Sequence, residues 1–318
     1  MELEIPSVDL NDFRNDTLKP KFIADLGTAF NEIGFVAVRN HGLSAFQTEQ
    51  LYRSFRAFFD LPEAIKSKYN IPDGFGQRGF TPKRIETAKG FKSPDLKEFW
   101  HIGQENKPKE AALLVHYADN IWPDEVPDLQ QIGTEVFKIL ENAGLELLQA
   151  IAEYLTLAPD YFDEKVATGN SILRCIHYYP IENVADIEPD AVRAAAHEDI
   201  NLITLLMGAS ADGLQIKRND GSWVSVTALP DQIVVNVGDM LARLTNNRLK
   251  STTHRVINPP KELMHLPRYS MPFFIHPRSD MNLSCLESCV DNQNPKQFSD
   301  ISAGVFLDER LRELGLKK

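Results

Sequence analysis

The second half of the chain is a succession of short apolar runs separated by turn residues. The runs are rich in valine, isoleucine and leucine, and glycine, proline, asparagine and aspartate lie between them. Several short strands with turns between them are typical of a closed or double-sheet β structure. Two antiparallel sheets in a jelly roll, or double-stranded β-helix, would bring the ends of distant strands together. The predicted strands cover residues 172–179, 194–207, 213–218, 222–226 and 232–237, with two further runs around His254 and Arg268.

The first half of the chain is predicted to be mainly helical. Apolar residues recur every three or four positions over residues 21–33 and 128–155, which predicts amphipathic helices. Between them, Ser44 and Gln47 have the spacing of a capping box ahead of a third helix. The helix over 128–155 is long enough to back a sheet. The predicted fold class is therefore mainly β with α: a jelly-roll core with a helical N-terminal region and a long backing helix.

No internal repeat, low-complexity tract or linker divides the sequence. We therefore predict a single domain over residues 1–318. Within it, residues 1–165 form a helical and lid region, residues 170–280 form the jelly-roll core, and residues 281–318 form a tail with one short helix at 308–316. Smaller predicted features are an edge strand at 5–10, a strand at 35–39, a hairpin turn at Asn219-Asp220-Gly221 and a turn at Gly238-Asp239.

A histidine and an aspartate lie two residues apart within the run 194–207. Side chains two apart on a strand point to the same face, so His197 and Asp199 should face one way and Glu198 the other. His254, 57 residues later (254 − 197 = 57), is the best candidate for a third metal ligand. Two histidines and one carboxylate leave about three positions open on a six-coordinate iron. A structural zinc site would instead be closed by four protein ligands.

An arginine and a serine share a face of the last predicted strand. Arg268 and Ser270 lie in an otherwise apolar run, where a guanidinium is costly unless it is paired. A guanidinium binds a carboxylate through two parallel hydrogen bonds. No protein partner is evident in the sequence, so we expect the carboxylate of a small molecule. The order His-x-Asp, then His, then Arg-x-Ser, all on strand-like runs, is far more specific than any of its parts.

These residues, together with several shorter motifs, carry a resemblance to a known family. The chain resembles the non-haem iron(II), 2-oxoglutarate-dependent dioxygenases, in the branch similar to isopenicillin N synthase. The resemblance covers nearly the whole sequence. The matching motifs are Ile5-Pro6-Ser7-Val8-Asp9-Leu10, Gly34-Phe35, Asn40-His41-Gly42, Gly238-Asp239-Met240-Leu241, Thr245-Asn246 and Ser251-Thr252-Thr253-His254-Arg255-Val256.

The resemblance implies a reaction and a set of roles. Iron(II) would be held by His197, Asp199 and His254. The keto and C1 carboxylate oxygens of 2-oxoglutarate would chelate the iron, and the distal carboxylate would meet Arg268 and Ser270. Dioxygen would then oxidise a small-molecule metabolite by hydroxylation, desaturation or ring closure, with release of succinate and carbon dioxide.

Agreement with the family pattern is uneven in the strand that precedes the metal-binding run. The plant branch has Asn-Tyr-Tyr-Pro where this chain has His177-Tyr178-Tyr179-Pro180. Tyr179 falls at the position that helps to bind 2-oxoglutarate, and His177 replaces the asparagine. Arg174 lies on the opposite strand face from Tyr179, so we interpret it as an ion-pair residue outside the site.

A glycine-rich segment at 74–103 shows little periodicity and is predicted to be a long irregular loop. In the resembled family the matching segment covers the mouth of the active site. Arg78, Arg84 and Glu86 are therefore candidates for substrate contacts, and a solvated loop is the alternative for each of them.

Three other functions remain open from the sequence. A zinc hydrolase also uses two histidines and a carboxylate, although Arg-x-Ser has no role there. Isopenicillin N synthase itself and the ethylene-forming plant oxidase use this scaffold without 2-oxoglutarate. A non-catalytic small-molecule sensor on the same fold would not need open positions on iron.

Composition restricts the partners and the compartment. The formal net charge is 34 − 45 = −11, which argues against a nucleic-acid partner. No secretory signal and no apolar run of about 18 residues is present, so no membrane partner is expected. The sequence has three cysteines, Cys175, Cys285 and Cys289, and this low number suits a reducing compartment. We expect a cytoplasmic protein that needs added iron(II) and a reductant such as ascorbate for activity. Its oligomeric state stays open.

Overall fold

The computed structural model describes residues 2–317 apart from 4, 73, 75, 89, 115–116, 184, 186, 189, 208–212, 219, 227–228 and 230. The strands are β1 Glu2–Leu3, β2 Ser7–Asp9, β3 Phe35–Arg39, β4 Gly79–Thr81, β5 Glu98–Gly103, β6 Ile172–Tyr178, β7 Ala194–His197, β8 Ile203–Met207, β9 Leu214–Lys217, β10 Trp223–Val226, β11 Ile233–Val237, β12 His254–Val256 and β13 Arg268–Ile275. The helices are α1 Leu10–Phe13, α2 Lys19–Glu32, α3 Ala45–Phe59, α4 Glu63–Lys66, α5 Ala111–Leu114, α6 Asp128–Tyr154, α7 Asp163–Ala167, α8 Asp239–Leu244 and α9 Ala303–Glu313.

The strands form two sheets whose inner faces pack together. The large sheet has the order β2-β3-β11-β8-β13-β6-β5-β4, and the small sheet has the order β1-β10-β9-β12-β7. Phe35 and Val234 of the large sheet belong to one apolar cluster with Ile216 and Val224 of the small sheet. Buried and more exposed side chains alternate along β9 and β10, as expected for a sheet with one face toward solvent. Strand β11 is buried throughout, because helices cover the outer face of the large sheet.

Helix α6 is the predicted backing helix. Its buried residues recur every three or four positions and pack on the large sheet. Phe137 meets Phe273 of β13 edge-on, with ring centroids 4.8 Å apart. Gly144 allows the helix to lie close to β13, since a Cβ at that position would lie 1.9 Å from Ile275 Cδ1. The prediction over 128–155 is confirmed, with Tyr154 as the last helical residue.

The predicted capping box at the start of α3 is also present. The Ser44 hydroxyl accepts a hydrogen bond from the Gln47 backbone N–H at 3.2 Å. The Gln47 side chain accepts one in return from the Ser44 backbone N–H at 3.0 Å. Two of the backbone donors that a helix start leaves unpaired are thereby satisfied.

The run 194–207 is not one strand, and this prediction is wrong. Strand β7 ends at His197 and belongs to the small sheet, whereas β8 begins at Ile203 and belongs to the large sheet. The chain crosses between the sheets through a bend that contains Asp199 and Asn201. Asn201 fixes this bend, because its side-chain amide donates to the Ile203 carbonyl at 2.6 Å.

Other element predictions need smaller corrections. The edge strand is confirmed at Ser7–Asp9, but a short helix begins already at Leu10. The predicted turn at Gly238-Asp239 is the start of α8, with Gly238 as the N-cap residue. The tail helix begins at Ala303, five residues before its predicted start, and ends at Glu313. The segment 74–103 contains β4 and β5, so it is not irregular throughout.

The predicted hairpin is formed by β9 and β10, which pair antiparallel, although Asn219 of its turn lies outside the described residues. Among the helices described, none combines the length and the apolar character that a membrane crossing requires.

Candidate active site

The two sheets bring the three predicted metal ligands together. His197 is the last residue of β7 and lies directly opposite His254, the first residue of β12. Asp199 follows in the bend, and its Oδ1 lies 3.9 Å from His197 Nε2 and 3.8 Å from His254 Nε2. One ligand atom from each of the three residues lies within 4.8 Å of the others. In the part of the chain that the structure describes, no other group of His, Cys, Asp or Glu side chains converges in this way.

Hydrogen bonds fix the orientation of each of these side chains. His197 Nδ1 lies 2.7 Å from the Ala195 carbonyl oxygen, and His254 Nδ1 lies 3.1 Å from that of Thr252. A carbonyl accepts only, so each Nδ1 carries the proton and each Nε2 keeps its lone pair for a metal.

The carboxylate of Asp199 is held from behind. Its Oδ2 accepts hydrogen bonds from Thr204 Oγ1 at 2.7 Å and from Asn236 Nδ2 at 2.8 Å. Both donors come from the large sheet, so that sheet orients the carboxylate toward histidines of the small sheet. Oδ1 is left facing the two Nε2 atoms.

The protonation states suit a divalent cation. Burial and the neighbouring His254 lower the pKa of His197 below its ordinary value. Although burial alone would raise it, the two histidines and the bonds from Asn236 and Thr204 lower the pKa of Asp199. A neutral imidazole and an ionised carboxylate are the forms that bind metal. The donor set therefore fits an iron(II) ion that keeps open positions for other ligands.

Glu198, which is predicted to face the other way, is not among the converging side chains. It is exposed, and its Oε1 accepts a hydrogen bond from Thr253 Oγ1 at 2.6 Å. It also lies in the wall of the cavity beside the three proposed ligands.

A cavity of about 300 Å³ opens beside the three ligands. Its polar wall comes from β5, β6 and the segment that precedes them, and includes Glu86, Lys97 and Arg174. Its apolar wall comes largely from the end of the chain, with Leu307, Leu311, Leu314 and Leu316 in and after α9. The sequence predicts this helix within a C-terminal tail and gives no sign that it belongs to the site.

Arg174 forms the predicted ion pair, but the prediction that it lies outside the site is wrong. Its guanidinium pairs with Glu86 at 3.2 Å, but the side chain lines the cavity. The face of β6 that carries Arg174 and Tyr178 is the inner face.

His177 points to the opposite, outer face of β6. Its Nδ1 lies 2.8 Å from Glu98 Oε1, and its ring stacks on Tyr269 at a centroid distance of 4.8 Å. It therefore takes no part in the metal site.

Arg268 and Ser270 share the inner face of β13, as predicted, and both are buried. Tyr178 of β6 lies directly opposite Arg268, with its ring centroid 4.9 Å from the guanidinium carbon. Tyr179 follows the end of β6, is half-buried, and has Lys83 Nζ 4.6 Å from its ring centroid. The tyrosine on the Arg268 face is thus Tyr178, one residue before the one chosen from the sequence. None of these four residues is among those that line the cavity described above.

The three lid candidates have different surroundings. Glu86 is buried in the cavity wall, where Lys97 and Arg174 bind it. Arg78 is almost fully buried and donates to Asn170 Oδ1 at 3.2 Å, so its role is structural. Arg84 is exposed and pairs with Glu188, which fits the alternative of a solvated loop.

Two histidines of the cavity wall escaped sequence reasoning. His101 on β5 and His276 after β13 are both buried. Burial lowers the pKa of each, to about 4 for His276. In the sequence, each of them is a single histidine within an otherwise apolar run, and such a histidine is more often structural than functional.

Comparisons with known proteins agree with this geometry. Residues 5–125 match the N-terminal domain model described as "non-haem dioxygenase in morphine synthesis", and residues 169–277 match the 2OG-Fe(II) oxygenase superfamily. The chain is 30% identical to the 2-oxoglutarate-dependent dioxygenase frbA of a Dothideomycetidae species, over 94% of this chain and 93% of that protein.

Two solved structures are also similar to this chain. A 2OG-Fe(II) oxygenase family protein from Caulobacter crescentus is 42% identical, with a TM-score of 0.86 and coverage of 97% of this chain and 98% of that one. A Neurospora crassa protein solved with alpha-ketoglutarate and thymine is 30% identical, with a TM-score of 0.84 and coverage of 97% and 96%.

The chain therefore belongs to the 2OG-Fe(II) oxygenase superfamily. It is an iron(II)- and 2-oxoglutarate-dependent dioxygenase with the predicted jelly-roll core, and the zinc hydrolase and the non-catalytic sensor are not supported.

Proposed function

We propose that His197, Asp199 and His254 hold the catalytic iron(II). The observation that carries this proposal is the convergence of three ligand atoms within 4.8 Å, each on a side chain fixed by a hydrogen bond from its far side. Such support fixes the tautomer and the direction of a metal ligand and strengthens binding. With dioxygen as the oxidant and 2-oxoglutarate as the two-electron reductant, iron(II) at this site would supply the chemistry that oxidises a C–H bond of a substrate, with succinate and carbon dioxide as co-products.

The 2-oxoglutarate is proposed to bind along the inner face of β13. Arg268 would bind its distal carboxylate through two hydrogen bonds, and Ser270 would add a hydroxyl bond. Tyr178, rather than Tyr179, would pack beside the guanidinium, because it lies opposite Arg268 on the paired strand. These three residues on two adjacent strands would then position the co-substrate relative to the metal ligands.

The primary substrate is proposed to be a small molecule that occupies the cavity lined by the metal ligands. The Neurospora relative was solved with thymine, which supports this size class. A single domain over 1–318 and a cytoplasmic location are also proposed. The three free cysteines fit a reducing compartment.

Iron binding by single variants tests the metal assignment. Asp199→Ala removes the only anionic ligand, and His197→Ala and His254→Ala each remove a neutral one. Each should weaken iron(II) binding by at least about tenfold, because loss even of a residue that only orients a ligand costs about that much. The measurement is anaerobic titration of the metal-free protein with iron(II). Glu198→Ala is the matched control and should bind like the wild type, since its side chain is exposed and bonded to Thr253. Wild-type affinity in all three ligand variants would refute the assignment.

A further inference from the structure

The cations that line the cavity already have carboxylate partners. Three Lys and Arg side chains lie in the described wall, namely Lys97, Arg174 and Arg310. Lys97 is bound by Glu86 and Asp95, Arg174 by Glu86, and Arg310 by Glu313. A substrate carboxylate would therefore have to compete with a protein carboxylate for any of these cations.

The pair formed by Arg174 and Glu86 lies in the cavity wall and is largely buried. Both nitrogens of the guanidinium fork lie 3.2 to 3.3 Å from the Glu86 oxygens, and Nε donates to His101 Nε2 at 2.6 Å. The guanidinium also lies over the Phe99 ring, 4.3 Å from its centroid. A cation held in this way by a carboxylate, an imidazole and a ring has a fixed position in the wall.

Glu86 joins two cations in one cluster. Lys97 Nζ lies 2.5 Å from Glu86 Oε2 and 2.7 Å from Asp95 Oδ2. The cluster of Glu86, Asp95, Lys97 and Arg174 has two negative and two positive charges, so its formal sum is zero. Breaking one member of such a buried cluster leaves an uncompensated charge, which is strongly unfavourable.

The rest of the described wall adds negative charge. Six carboxylates line the cavity against the three cations, because Asp199, Glu198, Asp239 and Glu313 join Glu86 and Asp95. The two histidines outside the metal site do not offset this excess, because burial keeps both neutral. In the loaded protein the two positive charges of iron(II) and the two negative charges of 2-oxoglutarate would cancel, so an anion entering the cavity would still meet an excess of negative charge.

The same wall offers a hydrogen-bond donor to an uncharged ligand. A guanidinium has five N–H groups. Nε of Arg174 donates to His101 and the other two nitrogens make three contacts with Glu86, so one N–H stays available to a ligand. The acceptor positions of Glu86, in contrast, are taken by Arg174 and Lys97. Phe274, on the inner face of β13, and the leucines of α9 supply apolar surface beside them. A few polar groups in an otherwise apolar pocket are typical of sites that select by orientation.

We propose that the substrate enters this cavity as an uncharged molecule whose amide- or imide-type carbonyl binds Arg174, and that the cavity rejects carboxylates. This inference rests on the proposed function. The carbonyl oxygen accepts from Arg174, and the remainder of the molecule packs against Phe274 and Leu311.

Three planar molecules of equal size test the proposal. Benzamide is neutral, benzoate is anionic and benzamidine is cationic. Their affinities are measured by anaerobic calorimetry on the protein loaded with iron(II) and 2-oxoglutarate. Benzamide should bind at least about tenfold more tightly than benzoate, because an anion that enters a desolvated site without a partner is penalised. It should also bind more tightly than benzamidine, because the cationic amidinium has no carbonyl oxygen and would meet the like charge of Arg174. Equal or tighter binding of benzoate or benzamidine, or no binding of benzamide, would overturn the proposal.

Two variants locate the effect. Glu86→Gln leaves Arg174 without its carboxylate, so the preference should turn toward benzoate. Arg174→Gln removes the donor, so benzamide should bind more weakly while benzoate gains nothing. The matched control is Glu146→Gln, which makes the same change in a glutamate that binds Arg14 through two hydrogen bonds on the protein surface. It should keep the wild-type order, and the same order in Glu86→Gln would also overturn the proposal.

Affinity for 2-oxoglutarate separates this proposal from the proposed function. Each protein is first titrated with 2-oxoglutarate in the presence of iron(II). If the wild type does not bind it, the proposed function fails. If the wild type binds it and prefers benzoate, only the substrate class fails. The variants at Glu86 and Arg174 should retain 2-oxoglutarate affinity, which also shows that they are folded.

Discussion

At the scale of single residues, the proposed 2-oxoglutarate site depends on which of two adjacent tyrosines faces inward. Tyr178 lies opposite Arg268, and Tyr179 lies beyond the strand next to Lys83. Tyr178→Leu should weaken 2-oxoglutarate binding by about tenfold, because a desolvated contact between a guanidinium and a ring is worth up to about 2 kcal/mol. Tyr179→Leu should change the affinity little. The measurement is anaerobic 2-oxoglutarate titration of the iron(II) protein.

Arg268→Ala should cause the largest loss of 2-oxoglutarate affinity in the same titration. Removing one partner of a buried charge pair costs roughly 2–5 kcal/mol, which is about thirtyfold to a few thousandfold in affinity. A larger loss for Tyr179→Leu than for Tyr178→Leu would restore the residue chosen from the sequence.

The three proposed metal ligands can be selected from the sequence, whereas the choice between Tyr178 and Tyr179 depends on the structure, and the difference has a physical reason. His197 and Asp199 stand out because two residue types that bind metals lie two positions apart in an otherwise apolar run. Choosing between Tyr178 and Tyr179 requires the exact register, and a shift of one residue moves a side chain to the other face. The pairing of Ser270 with Ile176 fixes that register only in three dimensions.

His276 should make stability depend on pH. Burial lowers its pKa from 6.5 to about 4, so the folded protein keeps it neutral where the unfolded chain binds a proton. The resulting stabilisation is complete above about pH 6.5 and is lost as the pH falls toward about 4, with a total of roughly 3 kcal/mol.

The measurement is urea unfolding of the metal-free protein between pH 4 and pH 8, compared with His276→Gln. The variant should lose part of the decline toward acid pH, while the carboxylates contribute equally to both curves. Parallel curves for the two proteins would show that His276 has an ordinary pKa.

At the scale of elements, the end of α9 forms part of the cavity wall through its C-terminal cap. Gly315 has a φ of +75°, the Leu316 N–H donates to the Leu311 carbonyl, and the Gly315 N–H donates to that of Arg312. This is a Schellman motif, which requires a left-handed residue. It turns the chain so that Leu316 reaches the wall of the cavity.

Gly315→Ala should therefore affect both stability and the cavity. A left-handed conformation costs a residue with a Cβ roughly 1–2 kcal/mol, and no neighbouring atom would clash with the added methyl. Thermal unfolding should report this cost, and benzamide affinity should fall because Leu316 is displaced. Gly221→Ala is the control, since Gly221 has a φ of +84° and equally open surroundings on the β9–β10 hairpin. It should lower stability by a similar amount and leave benzamide affinity unchanged. An equal loss of benzamide affinity in the two variants would exclude a specific role for the C-terminal cap of α9.

Most elements follow from local patterns, and the exceptions are the places where tertiary structure decides. The periodicity of α6 and the capping box of α3 were sufficient to predict both helices. The break between β7 and β8 was not predictable, because the residues on both sides are equally apolar. It occurs where Asp199 and Asn201 can be satisfied by Thr204 and by backbone of the other sheet. Strand β5 is not evident from the sequence, because its charged residue Glu98 is buried by a partner distant in sequence, Lys66.

At the scale of the whole molecule, the N-terminal half is part of the core. Strands β2, β3, β4 and β5 supply four of the eight strands of the large sheet, and all four precede residue 165. Strand β3 pairs with β11, and β5 pairs with β6. The predicted helical N-terminal region is thus joined to the jelly-roll strands by backbone hydrogen bonds along both sides of the sheet.

We therefore expect residues 1–318 to unfold as one cooperative unit, as the single-domain prediction requires. Calorimetry of the metal-free protein should show one transition whose van't Hoff and calorimetric enthalpies agree. Iron(II) at about 100 times its Kd should stabilise the folded state by about 2.7 kcal/mol, because its ligands come from two strands and a bend that separate on unfolding. Asp199→Ala should retain the single transition and lose the metal-dependent shift. Two resolved transitions in the wild type would mean that the strands contributed by the first 165 residues detach before the metal-binding core unfolds.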